Sequence, residues 1–177
     1  MPDEPWFLKT KRLGFRAWTE RDYELAWGLW GDARVTRLIG GPFNAAQVRE
    51  RLATEIDTLQ SVGVQYWPIF RLADGVHVGC CGLKPRRPED RVFELGFHLR
   101  FEHWRNGYAL ESARQVVQHA FGPLGCRELF AGHHPRNTDS ARLLERLGFK
   151  ATHDELYPPT GVMHHCYALL PAAGWEG

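Results

Sequence analysis

Apolar residues recur along this chain in two rhythms. Phe93, Leu95, Phe97 and Leu99 alternate with Glu94, Gly96 and His98, which is the pattern of a strand with one apolar face. From Ala109 the spacing lengthens to Ala109, Ala113, Val116 and Ala120, a single stripe along a helix. Between the two lies Trp104-Arg105-Asn106-Gly107-Tyr108-Ala109. A turn feeding a helix presents unpaired backbone N–H groups at the positive end of the helix dipole, an arrangement that suits a phosphate. The stretch 92–120 therefore reads as a strand carrying a carboxylate, an anion cradle and a helix.

The remaining elements follow from the same two periods. Residues 12–18 alternate well enough for a first strand. Thr19 with Asp22 three residues on marks a helix start, and the helix would carry Leu25, Ala26, Leu29 and Trp30. Gly40-Gly41-Pro42 breaks the chain, and Asn44 caps a helix running to about Gln60 on Val48, Leu52, Ile56 and Leu59. Strands at about 65–72 and 76–83 flank Ala73-Asp74-Gly75, a hairpin signal. Residues 85–90 read as a charged loop with two prolines. After the central helix come a turn at 122–125, a short strand at 128–131 and a helix from Pro135-Arg136-Asn137 to Leu147. Gly148 is placed as its C′ residue. Strands at 149–153 and 163–170 close the chain around the turn 158–161. The prediction is one domain over 11–171 behind a loose leader at 1–10, with a mixed sheet and helices on both faces.

Composition narrows the function classes. The 177 residues suit one domain with a sizeable core. A net charge of +1 gives no bulk support for a nucleic-acid or anionic-membrane partner. The N-terminus lacks a signal-peptide pattern, and no apolar run approaches the roughly 20 residues of a membrane span, so a soluble, cytoplasmic protein is expected. Cys80, Cys81, Cys126 and Cys166 show no CxxC spacing, and adjacent Cys80 and Cys81 on a strand face opposite ways. Buried, reduced thiols are the expectation. The pairs His133-His134 and His164-His165 likewise diverge, which leaves no metal site expected and places them in loops or on the surface. Trp27, Trp30 and Trp67 divide between core and binding pocket, with packing favoured for Trp27.

Four linked stretches carry a family resemblance: TKRLGFRAWTERD, VFELGFHL, WRNGYALESA, and His134-Pro135-Arg136-Asn137-Thr138-Asp139-Ser140-Ala141 before Leu144-Glu145-Arg146-Leu147-Gly148-Phe149. Together they resemble the GNAT acetyltransferases, closest to the RimJ/RimL-type branch, which acetylates N-terminal amino groups of ribosomal proteins. The resemblance implies the GNAT acyl-CoA N-acyltransferase fold, an α/β (α+β) arrangement. Its sheet is mixed, mostly antiparallel and six- to seven-stranded, with about four helices on both faces. It implies acetyl-CoA as co-substrate, with its pyrophosphate on the backbone amides of Arg105, Asn106, Gly107, Tyr108 and Ala109. The pantetheine would lie along Phe97 and Leu99, with Asn137 and Ser140 on the far side. It also places Trp30, Arg34 and Phe43 at the acceptor, and His98, on the strand face it shares with Glu94, is a further candidate substrate contact. Dimerisation is common in the family, so a homodimer is one assembly it allows.

Three positions depart from the family pattern. Trp104 opens the phosphate loop where the general pattern has Gln or Arg, and Arg105 stands where branch relatives follow that tryptophan with glycine. The tyrosine that many members use as general acid falls at Leu144, which leaves Ser140 as the alternative donor.

The implied reaction is direct attack of a primary amine on the thioester in a ternary complex. A thiol leaving group with a pKa near ~8.5 costs about 2 kcal/mol to expel unprotonated at pH 7, so a missing acid is tolerable. An N-terminal amine at ~8 is easier to deprotonate than lysine at about 10.4, by roughly 3 kcal/mol. This favours a protein α-amine and a water-relayed base, Glu94, with His98 as the other candidate base. Backbone N–H groups of the central strand would hold the oxyanion if that strand splays from its neighbour. The alternatives are a small amine (polyamine, amino acid or aminoglycoside) and a non-catalytic acyl-CoA-binding module.

Overall fold

The computed structural model describes residues 6–172. Thirteen elements run in the order β1 (Leu8–Lys9), β2 (Leu13–Phe15), α1 (Tyr23–Trp30), α2 (Ala33–Thr36), α3 (Ala45–Val62), β3 (Tyr66–Arg71), β4 (His77–Arg87), β5 (Val92–Leu99), α4 (Tyr108–Phe121), β6 (Glu128–His133), α5 (Thr138–Leu147), β7 (Lys150–Tyr157) and β8 (Val162–Leu169). The strands form one eight-stranded sheet in the order β1-β2-β3-β4-β5-β6-β8-β7. Among the described residues, only β5 and β6 pair in parallel, joined across α4, which is the connection a parallel pair requires.

Local signals set most helix ends. Asn44 and Gln47 form a reciprocal capping box on α3, both bonds 2.9 Å long, and Gly63 closes that helix at φ 83°. Thr19 and Asp22 form a second box ahead of α1. Gly148 ends α5 in the left-handed region at φ 91°.

Strand alternation sends neighbours into two cores. Trp67, Cys81, Leu83, Leu95 and Leu99 join Ala113, Val116 and Ala120 of α4 and Leu144 of α5 on one face. Tyr66 and Cys80 join Trp18, Leu29, Trp30, Val48 and Leu52 of the α1/α3 layer on the other. Cys80 and Cys81 thus diverge as expected, and all four cysteines are buried free thiols.

The second core contains a polar tie. The Glu55 carboxylate, 8% exposed, accepts from the Tyr66 backbone N–H at 2.7 Å, while Gln65 Nε2 donates to the Glu55 carbonyl and its Oε1 accepts from the Trp18 N–H. These bonds fix the start of β3. Tyr66 stands opposite Gly82 on β4, and Gly82 opposite Gly96 on β5. The phenol crosses β4 at that register and rests on Gly96, where an added β-carbon would fall inside the Tyr66 ring and hydroxyl.

Several expectations need correction. The sheet has eight strands rather than six or seven, and five helices rather than about four. The extra strand is β1, which pairs antiparallel with β2. Residues 8–9 are therefore tied to the sheet rather than loose, while residues 1–5 of the expected leader lie outside the described residues. The charged segment after residue 83 continues β4 to Arg87. The β3–β4 ladder ends at Tyr66 and Gly82, so Pro85 lies where β4 bonds β5 alone and its missing N–H leaves no gap in a second ladder. Trp27 is 39% exposed rather than packed, whereas His133 and His164 are 5% and 7% exposed rather than on the surface. Among the described residues, no helix is long and apolar enough to cross a membrane.

His77 gives this core an acid liability. It lies between the Trp18 and Phe70 rings, with centroids at 5.5 and 5.2 Å, and neither ring nitrogen has a partner among the described residues. Burial, helped by the Arg100 charge, pushes its pKa down to about 3. The unfolded chain protonates histidine near ~6.5. Below that pH the unfolded state binds a proton that the fold excludes, so stability falls with pH until about 3. Between about pH 6.5 and 5 this one residue costs roughly 2 kcal/mol, at about 1.4 kcal/mol per unit. His77→Leu is expected to flatten the acid limb by that amount in urea unfolding at the two pH values. Equal acid sensitivity of both proteins would contradict the assignment.

Candidate active site

The parallel ladder between β5 and β6 covers only Val92↔Glu128, Phe93↔Leu129 and Glu94↔Phe130. Beyond Glu94 the strands part, although β5 continues to Leu99 and β6 to His133. A cavity of about 240 Å³ opens there. Its walls come from β5 (Glu94, Gly96, Phe97, His98), from β6 and the residue after it (Phe130 to His134), and from the start of α5 (Asn137, Ser140, Leu144). Leu38, Ile39, Arg51, Tyr66, Lys84 and Arg86 complete one side, and Glu155, Leu156, Tyr157 and His164 of the β7–β8 hairpin complete the other.

Glu94, His98, Asn137 and Ser140, far apart in sequence, therefore meet in one chamber, with Phe97 alongside. Asn137 caps α5 by accepting from the Ser140 N–H at 3.1 Å, which holds both at the cavity wall. Leu144, 2% exposed, fills the position of the expected tyrosine and offers no proton. Leu99 is 9% exposed and packs in the α4-side core rather than on the cavity.

His98 has a defined state. The Trp30 indole N–H donates to its Nδ1 at 3.2 Å. An indole nitrogen only donates, so Nδ1 accepts and the neutral ring carries its hydrogen on Nε2. Burial, reinforced by the Arg51 and Lys84 charges, pushes the pKa well below the usual histidine value. The neutral ring can donate from Nε2 but has no free nitrogen to take a proton. Glu94 lies at the cavity with one side-chain oxygen 3.5 Å from Lys84 Nζ.

The other expected acceptor residues do not line the chamber. Trp30 is fully buried behind His98. Arg34 is held outside by Asp32 at 2.6 Å and lies over the Phe101 ring at 4.2 Å. Phe43 packs against the second core. The chamber's charged wall comes instead from residues the sequence pattern left unassigned. Arg86 grips Glu155 at 2.6 and 3.1 Å and stacks 3.9 Å over Phe130. This pair ties β4 to the curled-back hairpin and holds the Glu155 pKa at about 2, with His153 contributing. Tyr157 and His164 stack at 4.4 Å. Burial and the neighbouring histidines push His164 down to about 4.

His153, Glu155 and Cys166 bring ligand-type atoms within 4.8 Å of one another. Both Glu155 oxygens already hold the Arg86 cation, and burial pushes the Cys166 thiol up to about 11. That donor set is poor for a metal ion, which needs the thiolate.

The loop before α4 has the geometry of an anion cradle. Arg105 and Gly107 both take left-handed angles, φ 62° and 78°. Among the described residues, the amides of Arg105, Asn106, Gly107, Tyr108 and Ala109 have no hydrogen-bond partner. The Trp104 indole donates to the Leu99 carbonyl at 2.8 Å, and the Asn106 amide to the carbonyls of His103 and Trp104, so the loop is held from within. A β-carbon at Gly107 would meet only the Arg12 guanidinium, at 3.4 Å. Glycine is needed there for its angle rather than for space. The structure thus accommodates Arg105 by placing a non-glycine residue in the left-handed region, at a cost of about 1 kcal/mol.

Two kinds of comparison bear on the site. The family described as acetyltransferase (GNAT) domain matches residues 12–150. The chain is similar to the uncharacterized N-acetyltransferase YoaA of Bacillus subtilis (strain 168), 30% identical over 150 residues that cover 81% of this chain and 82% of that protein. Its fold is similar to a crystal structure of an acetyltransferase from Agrobacterium tumefaciens str. C58, with TM-score 0.80, 23% identity, and coverage of 93% of this chain and 94% of that one. It is also similar to RimL, a ribosomal L7/L12 alpha-N-protein acetyltransferase in complex with coenzyme A. Here the TM-score is 0.78 at 16% identity, over 91% of this chain and 95% of that one.

The two left-handed positions predict an asymmetry. Gly107→Ala is expected to lower unfolding free energy by about 1 kcal/mol, since it forces a β-carbon into that region, while Arg105→Gly is expected not to lower it. Denaturant unfolding of both variants checks this, and a Gly107→Ala protein as stable as the parent would refute it.

Proposed function

The chain belongs to the acetyltransferase (GNAT) family and is an N-acetyltransferase, and on that premise we propose that it transfers acetyl from acetyl-CoA to a primary amine, a protein N-terminal α-amine in preference. The observation that carries this reading is the parting of β5 from β6 beside a loop of unpartnered amides. An extended thioester arm fits between parted strands while its phosphates rest on the loop. RimL with coenzyme A bound, similar in fold, supports the same donor for this chain.

In this reading the amides of Arg105 to Ala109 take the pyrophosphate, with Arg105 adding a charge-assisted contact. Phe97 flanks the pantetheine, and Asn137 and Ser140 close the far side. Glu94 accepts the amine proton through a water, since His98 has no nitrogen free to take it. His98 Nε2–H instead serves as a donor toward the acceptor.

The wall chemistry weighs on the acceptor. Arg51, Lys84 and Arg86 face Glu94 and Glu155 in the chamber, with Glu55 paired to Arg51 at 3.6 Å. Positive and negative groups balance, so a polyamine or aminoglycoside would find no acidic surface to match its several cations. A single neutral amine, as an α-amine readily supplies near pH 7, suits such a chamber better.

Thiol release from acetyl-CoA across a panel of peptides and small amines tests the proposal, with turnover expected for peptides bearing free N-termini. Turnover with polyamines alone would overturn the acceptor assignment. Gly107→Val is expected to abolish acetyl-CoA binding in calorimetry, and retained affinity would remove the loop from the donor site. Glu94→Gln is expected to slow the reaction most near neutrality and least at high pH, where amines are already neutral. An unchanged pH profile would eliminate Glu94 as the base.

A further inference from the structure

Leu144 leaves the chamber without the expected hydroxyl on α5, but another hydroxyl reaches the reacting region from the opposite side. Tyr66 starts on β3, crosses β4 at Gly82 and ends against Gly96 of β5. Gly96 lies two residues past Glu94, the last β5 residue paired to β6, so the phenol meets β5 where its outer edge has been released. The ring is 4% exposed and lines the same cavity as Glu94, His98 and Ser140. Its hydroxyl has no hydrogen-bond partner among the described residues.

The surroundings define what this group can do. The Arg51 guanidinium and Lys84 ammonium lie 5.8 and 6.0 Å from the ring centre. The His98 ring meets it edge-on at 5.8 Å. Burial pushes the phenol well above its usual pKa, and the nearby Glu94 charge adds to that. The hydroxyl therefore stays protonated across the working pH range and acts as a permanent donor. With no partner among the described residues and with its ring on the cavity wall, the hydroxyl is open to an acceptor oxygen arriving at Gly96.

We propose that Tyr66 is a catalytic hydrogen-bond donor to the acetyl carbonyl oxygen, forming an oxyanion site together with the released backbone N–H groups of β5. This rests on acetyl-CoA being the donor. The amine lone pair forms the C–N bond as the carbonyl π pair moves onto oxygen, where the Tyr66 O–H holds the charge without giving up its proton. The ammonium proton leaves through water to Glu94. The oxygen pair then re-forms the carbonyl, the C–S bond breaks with both electrons on sulfur, and the thiolate takes a proton from solvent.

Tyr66→Phe keeps the ring over Gly96 and deletes only the donor. The variant is expected to lose about 100-fold in kcat, the usual effect of removing one such donor, with acetyl-CoA affinity lowered only about fivefold, the worth of one hydrogen bond, and a melting temperature no lower than the parent's. Infrared spectra of bound acetyl-CoA carrying ¹³C at the thioester carbonyl supply a second readout. The carbonyl band is expected at lower frequency in the wild type than in the variant. A kcat within threefold of wild type, or identical carbonyl bands in the two proteins, would overturn the role of Tyr66 while leaving the donor assignment intact. Failure of the wild type to bind acetyl-CoA would instead overturn the donor assignment, and the proposal with it.

Discussion

Three residue pairs of parallel ladder, ending at Glu94 and Phe130, set the terms for everything else in this molecule. A continuous sheet would bury the edge of β5 in backbone bonds and leave no chamber. A wider break would leave more amides unsatisfied than the fold could bear. Both strands are anchored elsewhere: β5 bonds β4 along its length, and β6 bonds β8 from Leu129 to His133. The sheet can therefore open at one seam and stay closed on both sides. The polar groups exposed at the seam are those the proposed transfer would use.

The sequence showed the strand, loop and helix of residues 92–120 well and the charged wall of the chamber poorly. The two periods within residues 92–120 and the left-handed turn at Gly107 are local properties, and the helix caps at Asn44, Asn137 and Gly148 are equally local. Glu94 and His98 followed from strand alternation alone. Arg51, Tyr66, Lys84, Arg86 and Glu155 depend on cross-strand register and on the curl of the β7–β8 hairpin, neither of which leaves a periodic trace. Arg34 and Phe43 were assigned from the family resemblance, and local contacts hold both away from the chamber. Arg34 has a nearer partner in Asp32 and Phe43 an apolar neighbourhood. Glu55 breaks the binary pattern of α3, and its reason lies on another element, the backbone N–H of Tyr66.

The charged groups around the chamber are mostly engaged with one another. Arg86 with Glu155, Lys84 with Glu94 and Arg51 with Glu55 each draw their members from different elements or turns. Pairing of this kind holds side-chain positions more than it adds stability. It leaves the chamber electrically quiet, with the neutral His98 and the phenol of Tyr66 as its directed donors.

The path of Tyr66 across two strands ties three positions into one heritable unit. A side chain at residue 96 would evict the phenol, and one at residue 82 would strike the β3 backbone beneath it. Loss of the ring, conversely, would expose bare glycine on the central strand. Loss of the ring at 66 and gain of a side chain at 96 are therefore not independent, so descent with such change at this spot must proceed by paired steps. Relatives that keep glycine at 96 and those that fill it should differ at 66 as well, and the two groups would divide by how they hold the oxyanion.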